Sequence, residues 1–142
     1  MIVNKSFMMV KTISYALNDI KYQIDCLEQL KQYKFNRIII PNFTYGVFEN
    51  VLTIHMEYIK GSQISKEMKN DYKDIIYEDM VCSENPISSR SYWRENFIVP
   101  HTDARPWKNY NGKLYFIDLE DIGFCSVEER KEKFKKDWLD KR

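Results

Sequence analysis

An amphipathic helix predicted over residues 15–33 constrains the fold of this chain more than any other feature. An apolar stripe of this kind has to be buried against another layer of the protein. Ser14 is the predicted N-cap of the helix, and the basic residue Lys34 suits its C-terminal end. The apolar residues recur at spacings of three and four, which places them on one side of about five helical turns: Leu17, Ile20, Ile24, Leu27 and Leu30.

Strand-like runs on both sides of the helix can supply that second layer. Two of them meet at Glu49-Asn50, a residue pair suited to a tight hairpin turn. We therefore predict a three-stranded sheet within residues 7–59, with the helix packed on it. The three runs are FMMVKTI (7–13), FTYGVFEN (43–50) and VLTIHMEYI (51–59).

The C-terminal half has weaker patterns. Residues 64–82 have a less regular helical pattern, and the turn-rich segment 83–90 is predicted as a loop. Ser126 and Glu129 form a capping box that starts a charged helix over residues 126–140. Strands and helices in this order predict an α+β fold. The last helix carries a short apolar stripe that would dock on the core or bind a partner: Phe134, Trp138 and Leu139.

Length and composition limit the classes of protein and partner. The 142 residues suit one domain, and a net charge of +1 disfavours nucleic-acid binding, which usually shows as a basic excess. No apolar run approaches the roughly 18–20 residues of a membrane helix. High contents of Ile, Asn, Lys and Tyr are typical of AT-rich genomes, including viral ones. We predict a cytoplasmic protein, because free thiols in a reducing compartment explain three dispersed cysteines: Cys26, Cys82 and Cys125.

Acidic residues stand at both ends of the segment HTDARPWKNYNGKLYFIDLED, residues 101–121. Asp103 lies near its start, and Asp118, Glu120 and Asp121 lie at its end. Carboxylates this close together in a hairpin repel one another. They need a metal ion, a cationic partner or open water to be tolerated.

Five stretches, taken in order, resemble motifs of the protein-kinase family. MMVKTI resembles the strand with the nucleotide lysine, and the helix after it lies where kinases have their regulatory helix. VLTIHMEYIKG resembles the last small-lobe strand running into the hinge, HTDARP the catalytic loop, and NGKLYFIDLED the next hairpin with its Asp-Phe-Gly site. The resemblance covers residues 7–121. It implies a trimmed kinase-like fold: a small antiparallel sheet with a packed helix (residues 1–61, small-lobe-like), then a short catalytic-loop hairpin and a terminal helix (residues 62–142, a reduced large lobe).

The resemblance also implies a chemistry, the transfer of the γ-phosphoryl group of ATP, with Mg²⁺, to a hydroxyl of a protein or small molecule. Asp103 would be the catalytic residue, and Lys11 would neutralise the α- and β-phosphates. Asp118 would hold the metal ion, with Asn109 or Asn111 as a substitute for the second ligand. The residues implied to contact adenine are Met56 as gatekeeper and the hinge from Glu57 to Ile59.

Several features depart from the kinase pattern. No Gly-x-Gly loop precedes Lys11, and the stretch after the acidic residues is too short for an activation segment and a full helical lobe. Lys108 occupies the position of the catalytic-loop asparagine, and Asn109 comes one residue late. Gln23 stands where the regulatory helix has a glutamate, with Asp19 one turn earlier.

Three functional hypotheses remain open. The first is an active minimal kinase. The second is a catalytically impaired pseudokinase, a binding module that acts on a partner protein, which is a host protein if the source is viral. The third is a metal-dependent nuclease that uses Asp118 and Glu120, with Lys108 or Lys113 nearby. The predicted partners are a nucleotide and a protein, without a membrane, and a second copy of the chain could complete exposed sheet edges in a homodimer.

Overall fold

The computed structural model describes residues 8–14, 17–93, 96–100 and 113–140. Over these residues the fold is α+β, as predicted, with three α-helices and three small sheets. None of the described helices is long and apolar enough to cross a membrane. Turns of π-helix, Tyr77–Val81 and Lys135–Asp140, continue the second and third helices. The elements are β1 (Met8–Ser14), α1 (Leu17–Gln32), β2 (Ile38–Ile39), β3 (Phe43–Phe48), β4 (Val51–Glu57), β5 (Gly61–Gln63), α2 (Lys69–Ile76), β6 (Ile87–Ser89), β7 (Phe97–Pro100), β8 (Leu114–Phe116), β9 (Ile122–Phe124) and α3 (Val127–Phe134).

The first sheet is three-stranded and antiparallel, with β4 between β1 and β3. Glu49 and Asn50 join β3 to β4 with positive φ angles of 49° and 66°, the conformation that a two-residue hairpin turn of this twist requires. The predicted sheet and its turn are therefore confirmed. The prediction that Ser14 caps α1 is wrong, because Ser14 pairs with Val51 and belongs to β1.

The second sheet has the strand order β2-β8-β7-β5, with β2 parallel to β8 and the other pairs antiparallel. β6 and β9 form a separate antiparallel pair. Residues 58–60 run from β4 in the first sheet to β5 in the second. β5 pairs with β7, and a turn follows it in which the Met68 amide donates to the Ser65 carbonyl oxygen at 3.1 Å. The second helix therefore begins at Lys69, later than the predicted residue 64. Gly61 permits this pairing, since a β-carbon there would collide with the Val99 carbonyl group.

One cluster of buried side chains joins the helices to all three sheets. In β4, Leu52, Ile54 and Met56 are buried and alternate with more exposed residues, as expected for a strand with one face on the core. The stripe of α1 is buried in the same cluster, since Leu27 and Leu30 are 0% and 1% exposed.

α1 contacts the first sheet where the Glu28 carboxylate accepts a hydrogen bond from the Tyr45 hydroxyl of β3. It also lies against the β6–β9 pair, where the Tyr22 hydroxyl accepts a hydrogen bond from the Phe124 amide at 2.9 Å. The helix thus packs on more of the fold than the first sheet on which it was predicted to lie.

The last helix is capped and then buried. The Ser126 hydroxyl accepts a hydrogen bond from the Glu129 amide at 3.2 Å, and the Glu129 carboxylate accepts one from the Ser126 amide at 3.0 Å. These two bonds confirm the predicted capping box. Phe134 and Trp138 are buried in the core, whereas Leu139 is exposed. Docking on the core is therefore the role of this stripe, apart from Leu139.

Candidate functional site

The segments that follow β6 and β8 lie side by side and form the candidate site. The Ile117 amide donates a hydrogen bond to the Asn96 carbonyl oxygen at 2.9 Å. The Arg90 amide donates one to the Asp121 carbonyl oxygen, also at 2.9 Å. The β6–β9 and β7–β8 pairs hold the flanking strands in register. Asp118 therefore comes directly after Ile117, the residue whose main chain is hydrogen-bonded to Asn96.

Three polar residues, the serine–asparagine cluster of Ser89, Ser91 and Asn96, organise one side of the site. The Asn96 Nδ2 group donates to the Ser89 hydroxyl oxygen at 2.7 Å, and the Ser91 amide donates to the same oxygen at 3.0 Å. Ser89 and Asn96 are each only 1% exposed. Buried polar groups that satisfy one another in this way give a segment one well-defined conformation.

The last helix holds the serine–asparagine cluster in place through Tyr92. The Asp137 carboxylate accepts a hydrogen bond from the Tyr92 amide at 2.6 Å, and the Trp138 indole donates to the Tyr92 carbonyl oxygen. The Lys69 ammonium lies 4.7 Å from the centroid of the Trp93 ring and 5.7 Å from that of Trp138. α2 and α3 thus support the segment between β6 and β7 from outside the sheets.

The other side of the site is an acidic turn, residues 118–121. Asp118, Glu120 and Asp121 are all half-buried, and the Asp121 amide donates to the Asp118 carbonyl oxygen at 3.0 Å. Burial raises the pKa of Asp121 to about 6. The positive charge of Arg90 lowers this pKa, and the neighbouring Glu120 carboxylate raises it. The turn therefore holds one carboxyl group that titrates near pH 6.

Replacement of Asp121 by asparagine is expected to stabilise the protein at neutral pH. The folded pKa is about 6, and an unfolded aspartate has a pKa of about 4. The folded state then binds more protons in this window, so stability falls as the pH rises from about 4 to about 6. Discounted for solvent exposure, the charge costs about 1 kcal/mol at pH 7. We expect Asp121→Asn to raise the Tm by about 4 °C at pH 7 and by little at pH 4.

The control for this measurement is Asp71→Asn, which alters an exposed aspartate on α2. Its Tm difference from the native protein should change little between pH 4 and pH 7. An Asp121→Asn difference that is as independent of pH as that of the control would contradict the raised pKa.

The residues predicted to bind a nucleotide lie in two neighbouring strands and in the link that follows the second of them. Lys11 lies in β1 at a position paired with β4, the strand that ends in Met56 and Glu57. Met56 is 1% exposed and belongs to the core. The Glu57 carboxylate accepts a hydrogen bond from the Asn42 amide at 3.2 Å, and Ile59 is half-buried in the link to β5. Their nucleotide-binding roles stay predictions.

Asp103 and Asn109, predicted as catalytic residue and metal ligand, lie outside the described residues. Within the described ranges, no group of three His, Cys, Asp or Glu side chains is arranged to hold a metal ion. The predicted site for Mg²⁺ therefore stays a prediction.

Sequence reasoning missed the serine–asparagine cluster because it searched for a catalytic aspartate, and SRSYWREN, residues 89–96, contains none. A local signal was present. Asn96 directly precedes the apolar run of β7. A polar residue at the start of a buried strand is the signal that the sequence offered. Its importance becomes clear only from the hydrogen bond to Ile117.

No protein-family model matches the chain, and no curated protein matches its sequence. The class that the described residues define is an α+β protein in which a buried serine–asparagine cluster stands beside an acidic turn. Its function has to be argued from these two features.

Proposed function

We propose that this chain is a kinase-like protein that binds a nucleotide with Mg²⁺, is catalytically impaired, and acts through contact with a protein partner. The observation that carries the proposal is the hydrogen bond from the Ile117 amide to Asn96, at 2.9 Å. It brings an asparagine next to Asp118 of the Ile-Asp-Leu-Glu sequence. In kinases, the catalytic-loop asparagine and the aspartate of the Asp-Phe-Gly site hold the Mg²⁺ ions.

Ser91 is the reason to expect impaired catalysis. It lies five residues before Asn96, which is the spacing between the catalytic aspartate and the asparagine of a kinase. That aspartate accepts the proton of the substrate hydroxyl group. A serine hydroxyl is not basic at neutral pH, so this position supplies no general base.

Asp118 and Asn96 have side chains that suit Mg²⁺. The donor set of one carboxylate and one amide oxygen is the hard-oxygen chemistry that this ion prefers. Bound there, Mg²⁺ would neutralise phosphate charge. The main chain of Asn96, fixed by Ile117, would keep the two side chains on neighbouring segments.

The first sheet supports nucleotide binding. β1, which contains Lys11, pairs with β4, so the predicted phosphate and adenine contacts lie on strands about 4.8 Å apart. Gln23 of α1 is 2% exposed, and its Oε1 atom has no hydrogen-bond partner in the described chain. A buried, unsatisfied oxygen is costly unless a donor reaches it. In kinases, the nucleotide lysine is the donor that reaches the glutamate of the regulatory helix. The unsatisfied oxygen of Gln23 therefore favours this residue as the counterpart of that glutamate.

Thermal unfolding with ATP and Mg²⁺ tests the proposed binding. A ligand at 100 times its dissociation constant stabilises the folded state by about 2.7 kcal/mol. We expect Asp118→Asn to remove the stabilisation that depends on Mg²⁺, because it deletes the metal-binding charge. The control variant Asp71→Asn should respond like the native protein. An unchanged Mg²⁺ response in Asp118→Asn would exclude the proposed site.

Measurement of ADP release tests the impaired catalysis. The native protein should bind ATP without turnover above background. Asp103→Asn distinguishes the active-kinase hypothesis, in which Asp103 is the catalytic residue. Turnover by the native protein that is lost in Asp103→Asn would replace the proposed function by an active kinase.

A further inference from the structure

The outer edge of β3 is open to the addition of a strand. β3 lies at one side of the first sheet, and no other strand of the described chain pairs with its outer side. The Glu57 amide donates to the Asn42 carbonyl oxygen at 2.8 Å, and bonded and non-bonded pairs alternate along an antiparallel ladder. The residues whose N–H and C=O groups point away from β4 are therefore Phe43, Tyr45 and Val47.

This edge lacks the features that usually protect an edge strand. The six residues of β3, FTYGVF, include no proline and no charged residue. At its end, Val47 and Phe48 are 46% and 75% exposed. A β-carbon on Gly46 would meet no atom of the described residues within 4 Å, so none of them covers this face of the strand. Edge strands usually carry lysine, proline or a bulge against pairing, and one without them can accept a further strand.

A lysine of α1 lies over the same edge. The Lys31 ammonium is 5.3 Å from the centroid of the Phe43 ring and 5.8 Å from that of Tyr45. The Glu28 carboxylate accepts a hydrogen bond from the Tyr45 hydroxyl, and this bond raises the pKa of Tyr45 to about 12. The Glu28 carboxylate keeps its negative charge in this bond, and the charge of Asp25 also acts on Tyr45, so the positive part of the edge is at Phe43. Two of the three residues that would bond an added strand lie beneath a cation.

A groove of about 560 Å³ extends this positive region from the start of β3. It is lined by the end of α1 and the chain that leads to Phe43. Lys31 and Lys34, both exposed, are the charged side chains of this lining, and no carboxylate is among the residues described there. The groove therefore attracts negative charge beside the Phe43 end of the strand edge.

We propose that the outer edge of β3 binds an extended acidic segment of a partner protein as an added strand. Main-chain hydrogen bonds to Phe43, Tyr45 and Val47 hold the segment, whose side chains alternate between the two faces of the sheet. An acidic residue on the α1 side faces the Lys31 ammonium. A second copy is the less suited occupant, because its β3, FTYGVF, has no acidic residue to face the lysines of the groove. This inference does not rest on nucleotide binding.

Labelled seven-residue peptides test the proposal by fluorescence anisotropy. The probe alternates glutamate and threonine, and its comparison peptide has lysine in place of glutamate. We expect the acidic peptide to bind at least about tenfold more tightly and to weaken as salt is added. N-methylation of alternate residues blocks the hydrogen bonds of one edge of the peptide. Two peptides are compared, one N-methylated at the odd positions and one at the even positions. One of them should bind about tenfold or more weakly, and the other should bind almost as well as the unmodified peptide.

Variants of the protein locate the binding site. Lys31→Glu should weaken binding of the acidic peptide by about fivefold or more, and Lys21→Glu, an exposed lysine of the same helix, should have little effect. Equal effects of the two N-methylated sets, or of the two lysine variants, would overturn the proposal. Sedimentation of the native protein and of Val47→Pro tests whether a second copy of the chain occupies the edge instead. A dimer that Val47→Pro converts to a monomer would assign the edge to a second copy and overturn the proposal as well.

Discussion

Replacement of Trp138 by alanine is expected to lower the free energy of unfolding by about 3–5 kcal/mol. Trp138 is 2% exposed and its ring stacks on Phe134 at a centroid distance of 5.9 Å. Its indole N–H donates to the Tyr92 carbonyl oxygen, so the substitution also leaves a buried acceptor without its partner. Urea denaturation, followed by far-UV circular dichroism, should show a much lower midpoint with little change in slope.

Leu139→Ala is the matched control, because its side chain is adjacent in sequence and 48% exposed. It should cost less than about 1 kcal/mol. Equal losses in the two variants would contradict the structure, since Trp138 would then not be a core residue. The result also bears on the last helix, in which Phe134 and Trp138 serve the core and are not available to a partner.

Asp79→Ala is expected to cost about 3 kcal/mol, the second largest effect. The Asp79 side chain is 5% exposed, and its Oδ2 atom accepts hydrogen bonds from the amides of Arg37 at 2.6 Å and Ile38 at 2.7 Å. Ile38 begins β2, which joins the second sheet beside β8, and Arg37 directly precedes it. Removal of the carboxylate would leave two amides unsatisfied, and hydrogen exchange of the Ile38 amide should become faster.

The control for Asp79 is Glu78→Ala, the neighbouring acid. Glu78 contacts the Arg37 guanidinium at 3.3 Å, but the two side chains are 69% and 52% exposed. Exposed ion pairs of this kind contribute at most about 1 kcal/mol. A loss in Glu78→Ala as large as that in Asp79→Ala would show that surface charge, and not the buried acceptor, holds β2 in place.

At the candidate site, the sequence drew attention to Asp118 and not to Asn96, and the role of Asp118 as a metal ligand stays a prediction. Asp118 was singled out from its acidic neighbours, and it lies beside Asn96, which was not predicted. The roles of Asp103 and Asn109 stay predictions, because both residues lie outside the described chain. Asn96 could not be chosen from sequence because its selection depends on a hydrogen bond to a residue on a later strand.

The sequence by itself determined the elements whose signals lie within a few neighbouring residues. The spacing of apolar residues predicted α1, Glu49-Asn50 predicted the hairpin turn, and Ser126 with Glu129 predicted the start of α3. Each of these signals acts between residues at most four positions apart or across a single turn. Such local interactions favour the same structure before the rest of the chain has packed.

Only the tertiary structure decided which residues meet across the fold. β2 and β5 have two and three residues, too few for any periodicity, and they exist because β8 and β7 offer them a partner. Asp79 resembles an ordinary polar residue of a helix until the amides of Arg37 and Ile38, about forty positions earlier, come within reach of its carboxylate. These contacts join distant segments, and they form because burial of the shared core brings the two sheets together.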